Sequence, residues 1–296
     1  MRTLEAAAFA IVALFVVVRA RRDAEPRAFL VRLAGLAVVS FLAEDTCIHA
    51  YRFYAYSAEW SLFVDRVPLA ILLIWPVVIH SAWDLARHLL GRGHALVPLA
   101  GAALVLADAW LIEPVSVAAR LWSWSEPGLF GVPPIGVFGW SFHAGLCMLA
   151  LSRTELSRDG ARAAHEPHPL AAALPLVATP LGTHALLVAS WWGLFRWVNV
   201  ALPAWPVVVI AWCLSLALVA WSLAARARQR VPLADMLLRA PAASFFFVLL
   251  AVVAAEGHAA AVVAPLTAWV LAFAPPYLSL MSKPDASTDS ALARPA

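Results

Sequence analysis

The sequence predicts an all-α protein, a polytopic bundle of about nine transmembrane helices, with eight as the alternative. Hydrophobic residues make up 63% of its 296 residues and charged residues 13%, whereas soluble domains hold roughly 45–50% and about 25% respectively. The mean hydropathy is +0.82, and apolar stretches close to the roughly 20 residues of a spanning helix recur along the chain. No soluble fold could bury this much apolar surface, so lipid must surround much of the chain.

Nine apolar stretches are long enough, or nearly so, to cross a bilayer. In chain order they are 3–18, 28–43, 67–83, 95–112, 133–151, 169–190, 200–224, 241–256 and 259–280. A very short linker joins the last two, so one long, broken helix over 241–280 is the alternative. Residues 1–281 are predicted to form a single helical domain, and the polar, small residues of 282–296 predict a disordered C-terminal tail.

The basic residues alternate along the chain in a way that predicts the orientation of the helices. Clusters of them follow the first, third, fifth and seventh stretches, whereas the intervening loops hold only Arg52, Arg66, Arg120 and Arg196. Under the positive-inside rule, this places the N-terminus outside and the C-terminus in the cytoplasm. The formal net charge of +3 therefore marks topology and not nucleic-acid binding. The predicted location is the bacterial cytoplasmic (inner) membrane.

Two predicted outer loops, 44–66 and 113–132, look like copies of each other, carried by the hairpins 28–83 and 95–151. Each contains an aromatic-x-aromatic step, then a Val-Pro pair, and then a tryptophan seven residues past the proline. The matching segments are Tyr54-Ala55-Tyr56 and Trp122-Ser123-Trp124, Val67-Pro68 and Val132-Pro133, and Trp75 and Trp140. The offset of 65–68 residues equals one hairpin with its connecting loop, so both copies are predicted to point the same way.

Carboxyl groups precede the aromatic step in both copies and are the candidate catalytic groups. Glu44 and Asp45 lie in the first copy, and Asp108 and Glu113 lie in the second. At the edge of the hydrocarbon, desolvation raises the pKa of a carboxyl group, which can then be a neutral acid near pH 7. Glu44 and Asp108 rank first as acids because they abut or lie within apolar stretches.

Aromatic rings beside such an acid would stabilise a carbocation through the ring quadrupole. A proton donor next to a cation-tolerant pocket is what protonation of an alkene in a polyene or prenyl chain requires. The predicted substrate-binding residues are Tyr54, Tyr56, Trp75, Trp122, Trp124, Pro133 and Trp140. The alternatives are an aromatic belt at the membrane interface and pairing of the acids with Arg52 or Arg120, which would lower their pKa.

The residues that commonly hold metals and cofactors are scattered. The three cysteines stand alone in or near apolar stretches, without the spacing of a metal site. His80, His143 and His184 fall on separate helices, which favours satisfied buried histidines over a haem site. No nucleotide-binding motif is present. The sequence therefore predicts no cofactor and no metal.

The second copy carries the more specific motif. It reads Asp108-x4-Glu113-Pro114, Leu121-Trp122-Ser123-Trp124, Phe130-Gly131-Val132-Pro133 and Gly139-Trp140. With the looser first copy, it resembles the carotenoid biosynthesis membrane proteins of bacteria and archaea, which include the bacterioruberin-pathway hydratase, over about 40–150. It is distantly similar to the heterodimeric membrane lycopene cyclases. The chain departs from the family pattern at Gly136, where asparagine is usual, and at Arg52, where glycine is usual.

The resemblance implies addition of water to a terminal carotenoid double bond without a redox cofactor, or cyclisation by a divergent member. The sequence thus predicts an enzyme, a hydratase (lyase) or a cyclase (isomerase). It would take a lipid-soluble polyene or prenyl substrate from the bilayer, with other carotenoid enzymes as candidate partners and no nucleic acid. A non-enzymatic carrier of lipid or pigment, or a subunit of a larger complex, is the alternative. The substrate, the reaction outcome, the donating carboxyl group and the oligomeric state stay open.

Overall fold

The all-α class predicted from the sequence is confirmed. A computed structural model describes residues 1–91, 93–161, 174–198, 213 and 233–255, and these are mostly helical, with only short strands. Three predicted regions lie outside the described residues. They are the stretch 200–224, apart from residue 213, the stretch 259–280 and the tail 282–296. The choice between one and two helices over 241–280 therefore stays a prediction.

The described residues form eight α-helices and four short β-strands. In chain order they are α1 (Arg2–Arg22), α2 (Pro26–Tyr51), β1 (Tyr54–Tyr56), β2 (Phe63–Val64), β3 (Val67–Pro68), α3 (Leu69–Leu90), α4 (Val97–Ala118), β4 (Trp122–Trp124), α5 (Pro134–Ala161), α6 (Thr179–Ser190), α7 (Arg196–Val198) and α8 (Leu233–Ala255). A 3-10 turn, Leu174–Ala178, leads into α6, and a π-helical turn, Trp191–Phe195, joins α6 to α7.

Within the described part of the chain, six helical segments are long and apolar enough to cross a membrane. They are Arg2–Arg22, Pro26–Tyr51, Leu69–Leu90, Val97–Ala118, Pro134–Thr154 and Leu174–Phe195. A shorter apolar segment, Leu237–Val253, lies within α8. Helices of this length and composition satisfy their backbone polar groups internally, as lipid demands. The protein is a multi-pass membrane protein, and the orientation derived from its charges stays a prediction.

Two helices run further than the hydropathy of the sequence predicts. α2 ends at Tyr51 and α4 ends at Ala118, whereas the apolar stretches end at 43 and 112. Glu44, Asp45 and Glu113 therefore lie in helices, and the predicted loop boundaries 44–66 and 113–132 are wrong on this point. The helices continue because hydrogen bonds within the protein satisfy these carboxylates, so the first charged residue does not mark the end of the buried segment.

α8 also starts earlier than predicted, at Leu233 instead of residue 241. The predicted start coincides with Pro241, which in fact lies inside the helix. The preceding turns carry Asp235 and Arg239, which a hydropathy profile assigns to a loop. Both are neutralised by partners on other helices: Asp235 Oδ1 lies 3.0 Å from Arg22 Nη1, and Arg239 Nη2 lies 2.7 Å from Asp108 Oδ1.

The aromatic steps of the two copies, which form β1 and β4, pair with each other antiparallel. The opposed residues are Tyr54 and Trp124, Ala55 and Ser123, and Tyr56 and Trp122. Beyond this pair, the Ser57 N–H donates to the Leu121 carbonyl at 2.9 Å and the Ser125 N–H donates to the Phe53 carbonyl at 2.7 Å. These equivalent bonds relate the copies by an approximate two-fold axis. Both loops thus meet at one end of the bundle, here called the strand end, and both hairpins point the same way.

Left-handed backbone conformations occur at matching positions of the two copies. Arg52 (φ 54°) and Arg120 (φ 58°) each precede the aromatic step by two residues, and Asp65 (φ 48°) and Phe130 (φ 56°) each precede the Val-Pro pair by two. Such φ values are uncommon outside glycine, so their occurrence in matched pairs indicates the same local fold in both copies. At Arg52 this conformation agrees with the glycine that the sequence resemblance implies for this position, because glycine adopts positive φ freely.

Ion pairs hold the opposite end of the bundle together. Arg19 of α1 lies 2.6 Å from Asp84 of α3, through Nη2 and Oδ2, and Arg87 Nη1 lies 3.3 Å from Asp84 Oδ1. His88 Nε2 of α3 lies 3.4 Å from Asp235 Oδ2 of α8. These charged residues, which the sequence assigns to the predicted cytoplasmic loops, therefore lie together at the end of the bundle opposite the strands. Their contacts hold α8 against α1 and α3.

Candidate active site

Three aromatic side chains hold the carboxylate of Glu44, which lies on α2. Its Oε2 atom accepts hydrogen bonds from the hydroxyl groups of Tyr54 and Tyr56, the latter at 2.9 Å. Its Oε1 atom accepts a hydrogen bond from Trp75 Nε1 at 2.9 Å. We call this arrangement the Glu44 cluster, and it occupies the strand end of the bundle.

Three tryptophans hold the carboxylate of Glu113, which lies on α4. Its Oε2 atom accepts hydrogen bonds from Trp122 Nε1 and Trp124 Nε1, both at 2.9 Å. Its Oε1 atom accepts a hydrogen bond from Trp140 Nε1 at 2.7 Å. This Glu113 cluster is deeply buried, since Glu113 is only 2% exposed.

The two clusters are copies of one design. In each, the aromatic step supplies two donors to one carboxylate oxygen, and the tryptophan after the Val-Pro pair supplies one donor to the other oxygen. The copies touch across the approximate two-fold axis, where the Trp75 and Trp140 rings lie 4.4 Å apart between centroids and the Tyr54 and Trp124 rings 4.8 Å apart. The repeat therefore places two matched carboxyl groups in one site.

Local geometry explains why the spacing of the motif works. Side chains at positions i and i+2 of a strand point to the same face, so both aromatics of each step reach one carboxylate while Ala55 and Ser123 face away. Proline suits the start of a helix, and seven residues make about two helical turns. Trp75 and Trp140 therefore lie on the same helix face as the proline two turns earlier, and this face points toward the glutamates.

Both carboxyl groups line one cavity of about 70 Å³, large enough for more than one water molecule. The predicted substrate-binding residues Tyr54, Tyr56, Trp75, Trp122, Trp124 and Trp140 all line it. Further apolar lining comes from Cys47, Phe53, Ile71, Ile135 and Leu187. Pro133 is not among its lining residues, although it immediately precedes α5, which carries Trp140. Gly136 also lies in this wall, and a Cβ atom there would come within 2.7 Å of Trp124 Cζ2, so the glycine makes room for the Trp124 ring.

The partners of the two carboxylates are neutral. Burial, followed by the nearby charge of Glu44, raises the pKa of Tyr54 and of Tyr56 well above the usual tyrosine value. Both phenols therefore stay protonated and act as hydrogen-bond donors. The sequence left open that the acids pair with Arg52 or Arg120. The hydrogen-bond partners of Glu44 and Glu113 are instead tyrosines and tryptophans.

His143 lines the same cavity, a role that the sequence did not reveal. Its Nε2 atom lies 3.0 Å from Ser40 Oγ and its Nδ1 atom 3.1 Å from Thr183 Oγ1. Its ring meets the Trp75 ring edge-to-face, with 5.2 Å between centroids. With both nitrogens occupied, His143 fits the expectation of a satisfied buried histidine. Its position three residues after Trp140, hence on the same helix face, was the available signal.

Asp108, which the sequence ranks with Glu44 as a candidate acid, does not line this cavity. Both oxygens of Asp108 lie 2.7 Å from Arg239 Nη2, and Arg239 Nη1 donates to Ser81 Oγ at 2.9 Å. These residues line a different cavity between α1, α3, α4 and α8. The arginine lies 131 residues further along the chain, so no local sequence pattern indicates the pair.

Asp45 also lies apart from the site, because adjacent helical residues point about 100° from each other. Its Oδ1 atom accepts a 3.4 Å hydrogen bond from the Arg66 N–H. Nearby, His49 Nε2 lies 2.7 Å from Asp65 Oδ2, and this hydrogen bond holds the pKa of Asp65 below its usual value. Asp45, His49 and Asp65 are the described residues whose ligand atoms come close enough to share a metal ion, but they already contact one another at the surface.

Breaking the Asp108–Arg239 pair is expected to destabilise the protein. We expect Asp108→Asn to lower the free energy of unfolding by about 3–5 kcal/mol, because it removes the negative charge that both carboxylate oxygens of Asp108 hold against the Arg239 guanidinium. The double variant Asp108→Leu/Arg239→Met should recover most of this loss, since it removes both charges together. Unfolding in mild detergent, followed by tryptophan fluorescence, measures both. A fully stable Asp108→Asn variant that has lost activity would instead support a catalytic Asp108.

The fold and the site define a class: a multi-pass helical membrane protein with two equivalent acid–aromatic clusters in one buried cavity. The family model described as carotenoid biosynthesis protein matches residues 3–209, and the chain belongs to this family. The match includes both clusters and every helix from α1 to α7, a wider range than the motifs alone cover. No curated protein and no solved structure gave a significant match.

Proposed function

We propose that this protein is a membrane enzyme that modifies an acyclic end group of a carotenoid or another isoprenoid by protonation and carbocation capture. The observation that carries the proposal is the pair of glutamates in one cavity, each held by three aromatic side chains that also line this cavity. Membership of the carotenoid biosynthesis family supports the pathway. No step of the proposed reaction requires a redox cofactor.

The first step is protonation of the terminal double bond. A protonated glutamate donates its proton to the less substituted carbon, and the π electron pair forms the new C–H bond. The other carbon becomes a tertiary cation, and the glutamate becomes a carboxylate. Placing this acid within hydrogen-bond reach of the substrate, away from bulk water, is what makes such proton transfer effective.

The second step depends on what reaches the cation. In hydration, a lone pair of water forms the C–O bond, and the oxonium proton returns to the carboxylate, so the net change is addition of one water. In cyclisation, the electron pair of an internal double bond attacks the cation, and a ring proton returns to the carboxylate, so the mass is unchanged. The cavity volume admits water, which supports hydration, and cyclisation remains the second outcome.

The aromatic walls suit the cationic intermediate. Indole and phenol rings attract a nearby cation through their quadrupoles without supplying a nucleophile as reactive as water. The second carboxylate adds a fixed negative charge in a site of low dielectric, where charge stabilisation of this kind contributes most to catalysis. The six aromatic side chains thus have two tasks, since they also orient the carboxylates.

Membrane location fits the substrate. Acyclic carotenoids dissolve in the bilayer, so a site between apolar helices can take them up without passage through water. We propose the bacterial cytoplasmic membrane as the location, with the enzymes that make and use the polyene as neighbours. Direct binding between these enzymes and the protein is part of the same proposal.

Expression in a host that makes lycopene or bisanhydro carotenoids tests the function. We expect a new pigment, heavier than its precursor by the mass of one water molecule if the reaction is hydration. An unchanged mass with altered retention and absorption would identify cyclisation. Liquid chromatography with mass detection distinguishes these results. If several acyclic carotenoids accumulate unchanged while the protein is present and folded in the membrane, the enzymatic proposal fails and the carrier alternative gains weight.

A further inference from the structure

Two further cavities follow the active-site cavity along the bundle. The middle cavity measures about 30 Å³, and the inner cavity, which is lined by the Asp108–Arg239 pair, measures about 90 Å³. The residues that line both the active-site cavity and the middle cavity are Ile71, Trp75, Trp122 and Trp140. Those that line both the middle cavity and the inner cavity are Ala8, Ile74, Ile112, Phe245 and Phe246. Single side chains therefore separate each cavity from the next, and the three cavities adjoin.

The lining residues of helix α3 show that the cavities lie in a row. Ile71 and Trp75 line the active-site cavity, and Ile74 lines the middle and inner cavities. Val78 and Ser81 line the inner cavity. Helical residues three or four positions apart share a face, so one stripe of α3 passes all three cavities. From Ile71 to Ser81 this stripe rises about 15 Å.

Helix α4, which runs in the opposite direction, gives the same order. Glu113 lines the active-site cavity, Ile112 lines the middle and inner cavities, and Asp108 lines the inner cavity. On α8, Phe246 lines the middle and inner cavities, and Arg239 lines the inner cavity. Each helix therefore leads from the strand end toward the opposite end of the bundle, and the row of cavities runs lengthwise through it.

Most of the polar groups along this row already have partners. The indole N–H groups that border the active-site cavity donate to the two glutamates, and Asp108 and Arg239 bind each other. In the middle cavity, the hydroxyl group of Ser116 is buried and has no hydrogen-bond partner among the described residues. A buried water molecule needs roughly two to four polar partners, so the middle cavity suits an apolar occupant better than water.

We propose that the apolar chain of the substrate extends from its reacting end group, in the active-site cavity, through the middle cavity into the inner cavity. The side chains between the cavities part when the chain binds, and the chain then lies lengthwise between α1, α3, α4 and α8. The identity of the reacting end group rests on the function proposed above, but binding of the chain does not require turnover.

This placement narrows the class of substrate. The compound that fits is an acyclic isoprenoid whose chain stays apolar for at least about 15 Å beyond the reacting end group, the length of the row along α3. Long polyenes meet this condition. Short prenyl alcohols and prenyl diphosphates do not, because their polar head group would lie within the apolar middle cavity.

Helix α8 supplies one wall of the chain site. Ala242 and Ala243 line the inner cavity, where their small side chains leave room for the substrate chain, beside Phe245 and Phe246. The family model matches residues 3–209, so α8 lies beyond the matched range. The acid–aromatic clusters are therefore part of the matched region, whereas part of the specificity for the substrate chain is supplied from outside it.

The test is binding of lycopene, a long acyclic polyene, to the purified full-length protein in detergent. The parent and all variants carry Glu44→Gln, which removes the acidic proton and thus the proposed turnover. Ala8→Phe places a ring between the middle and inner cavities, and Ala242→Phe places one in the inner cavity. We expect each to weaken binding about tenfold or more, because excluding a few CH₂ groups from a buried site costs this much. Visible absorption measures the pigment that stays with the protein in gel filtration.

Two exposed alanines on the same helices provide matched controls, Ala10 on α1 and Ala251 on α8. Ala10→Phe and Ala251→Phe should bind lycopene as tightly as the parent protein. The double variant Ala8→Phe/Phe246→Ala should recover binding, since it removes a ring at the same boundary between cavities. Ser116→Ala should bind at least as tightly as the parent, because it removes an unpaired hydroxyl group from the path of the chain.

Equal binding of lycopene by Ala8→Phe, Ala242→Phe and the two controls would overturn the proposal, as would a parent protein that binds no lycopene. So would weaker binding by Ser116→Ala, which would show that the middle cavity holds a polar group. Tryptophan fluorescence and gel filtration in detergent confirm that each compared variant is folded.

The same measurements separate the chain site from the proposed reaction. If the wild-type protein modifies a polyene but both cavity variants bind it normally, the reaction stands and the chain site fails. The expected pattern of binding in a protein that leaves every polyene unchanged would support the chain site and refute the reaction.

Discussion

Glu44→Gln is expected to abolish detectable product, with a fall in rate of about a hundredfold to ten-thousandfold, the range for loss of a general acid. The amide oxygen can still accept hydrogen bonds from Tyr54, Tyr56 and Trp75, which hold Glu44 in the native protein. The variant therefore keeps the shape of the cluster and loses only the acidic proton. Initial rates of pigment conversion in isolated membranes, divided by the amount of folded protein, give the measurement.

Asp45→Asn is the matched control for this variant. Asp45 is the next residue on α2, carries the same charge, and lies outside the active-site cavity. Its carboxylate contacts the Arg66 N–H and the side chains of His49 and Asp65. We expect near-native conversion. If Asp45→Asn lost the activity and Glu44→Gln kept it, the assignment of the acid to the buried cluster would be wrong.

Glu113→Gln is expected to lower the rate by about a hundredfold to a thousandfold, comparable to loss of one preorganised charge-stabilising group. The three indole N–H groups can still donate to the amide oxygen, so the change removes a negative charge from the cavity and little else. Because the charge stabilises the cation and supplies no proton, the product that still forms should be the same compound that the wild type makes. Initial rates of conversion in isolated membranes, with the mass of the product, measure both.

A rate for Glu113→Gln equal to that of the wild type would contradict the electrostatic role. So would restoration of full activity by Glu113→Ala, which empties the cluster. A useful comparison is Trp140→Phe, which keeps the ring beside Trp75 and removes one of the three donors to Glu113. We expect it to fall between the wild type and Glu113→Gln.

The sequence predicted the fold class and the repeat because both depend on local patterns. Apolar stretches of spanning length leave little choice of class, and an aromatic-x-aromatic step followed by Val-Pro is readable without a structure. The pairing of Tyr54 with Trp124 and of Tyr56 with Trp122 then follows from two copies that point the same way. The six aromatic residues of the site were therefore within reach of the sequence.

The correspondence between Glu44 and Glu113 could not be predicted from the sequence. Glu44 lies ten residues before the first aromatic of its step and Glu113 lies nine before, as the separations of their hydrogen-bonded partners show. α2 and α4 end at different distances past their glutamates, so a strict sequence offset does not align them. Hydropathy favoured Asp108 because it stands inside an apolar stretch. Only the position of α8 reveals that Arg239 neutralises it.

The contacts between distant segments were equally hidden. The enclosure of His143 by Ser40 and Thr183 joins α2, α5 and α6, and no periodicity indicates it. These features come from packing, and they carry the finer chemistry of the site.

The central claim is that a carboxyl proton from this site ends on carbon. The most direct test is conversion of an acyclic carotenoid by membranes containing the protein in deuterated water, followed by mass and nuclear magnetic resonance analysis of the product. We predict one non-exchangeable deuterium on the end-group carbon next to the cation site, present with the wild type and absent with Glu44→Gln. A modified product that carries no carbon-bound deuterium would contradict the mechanism.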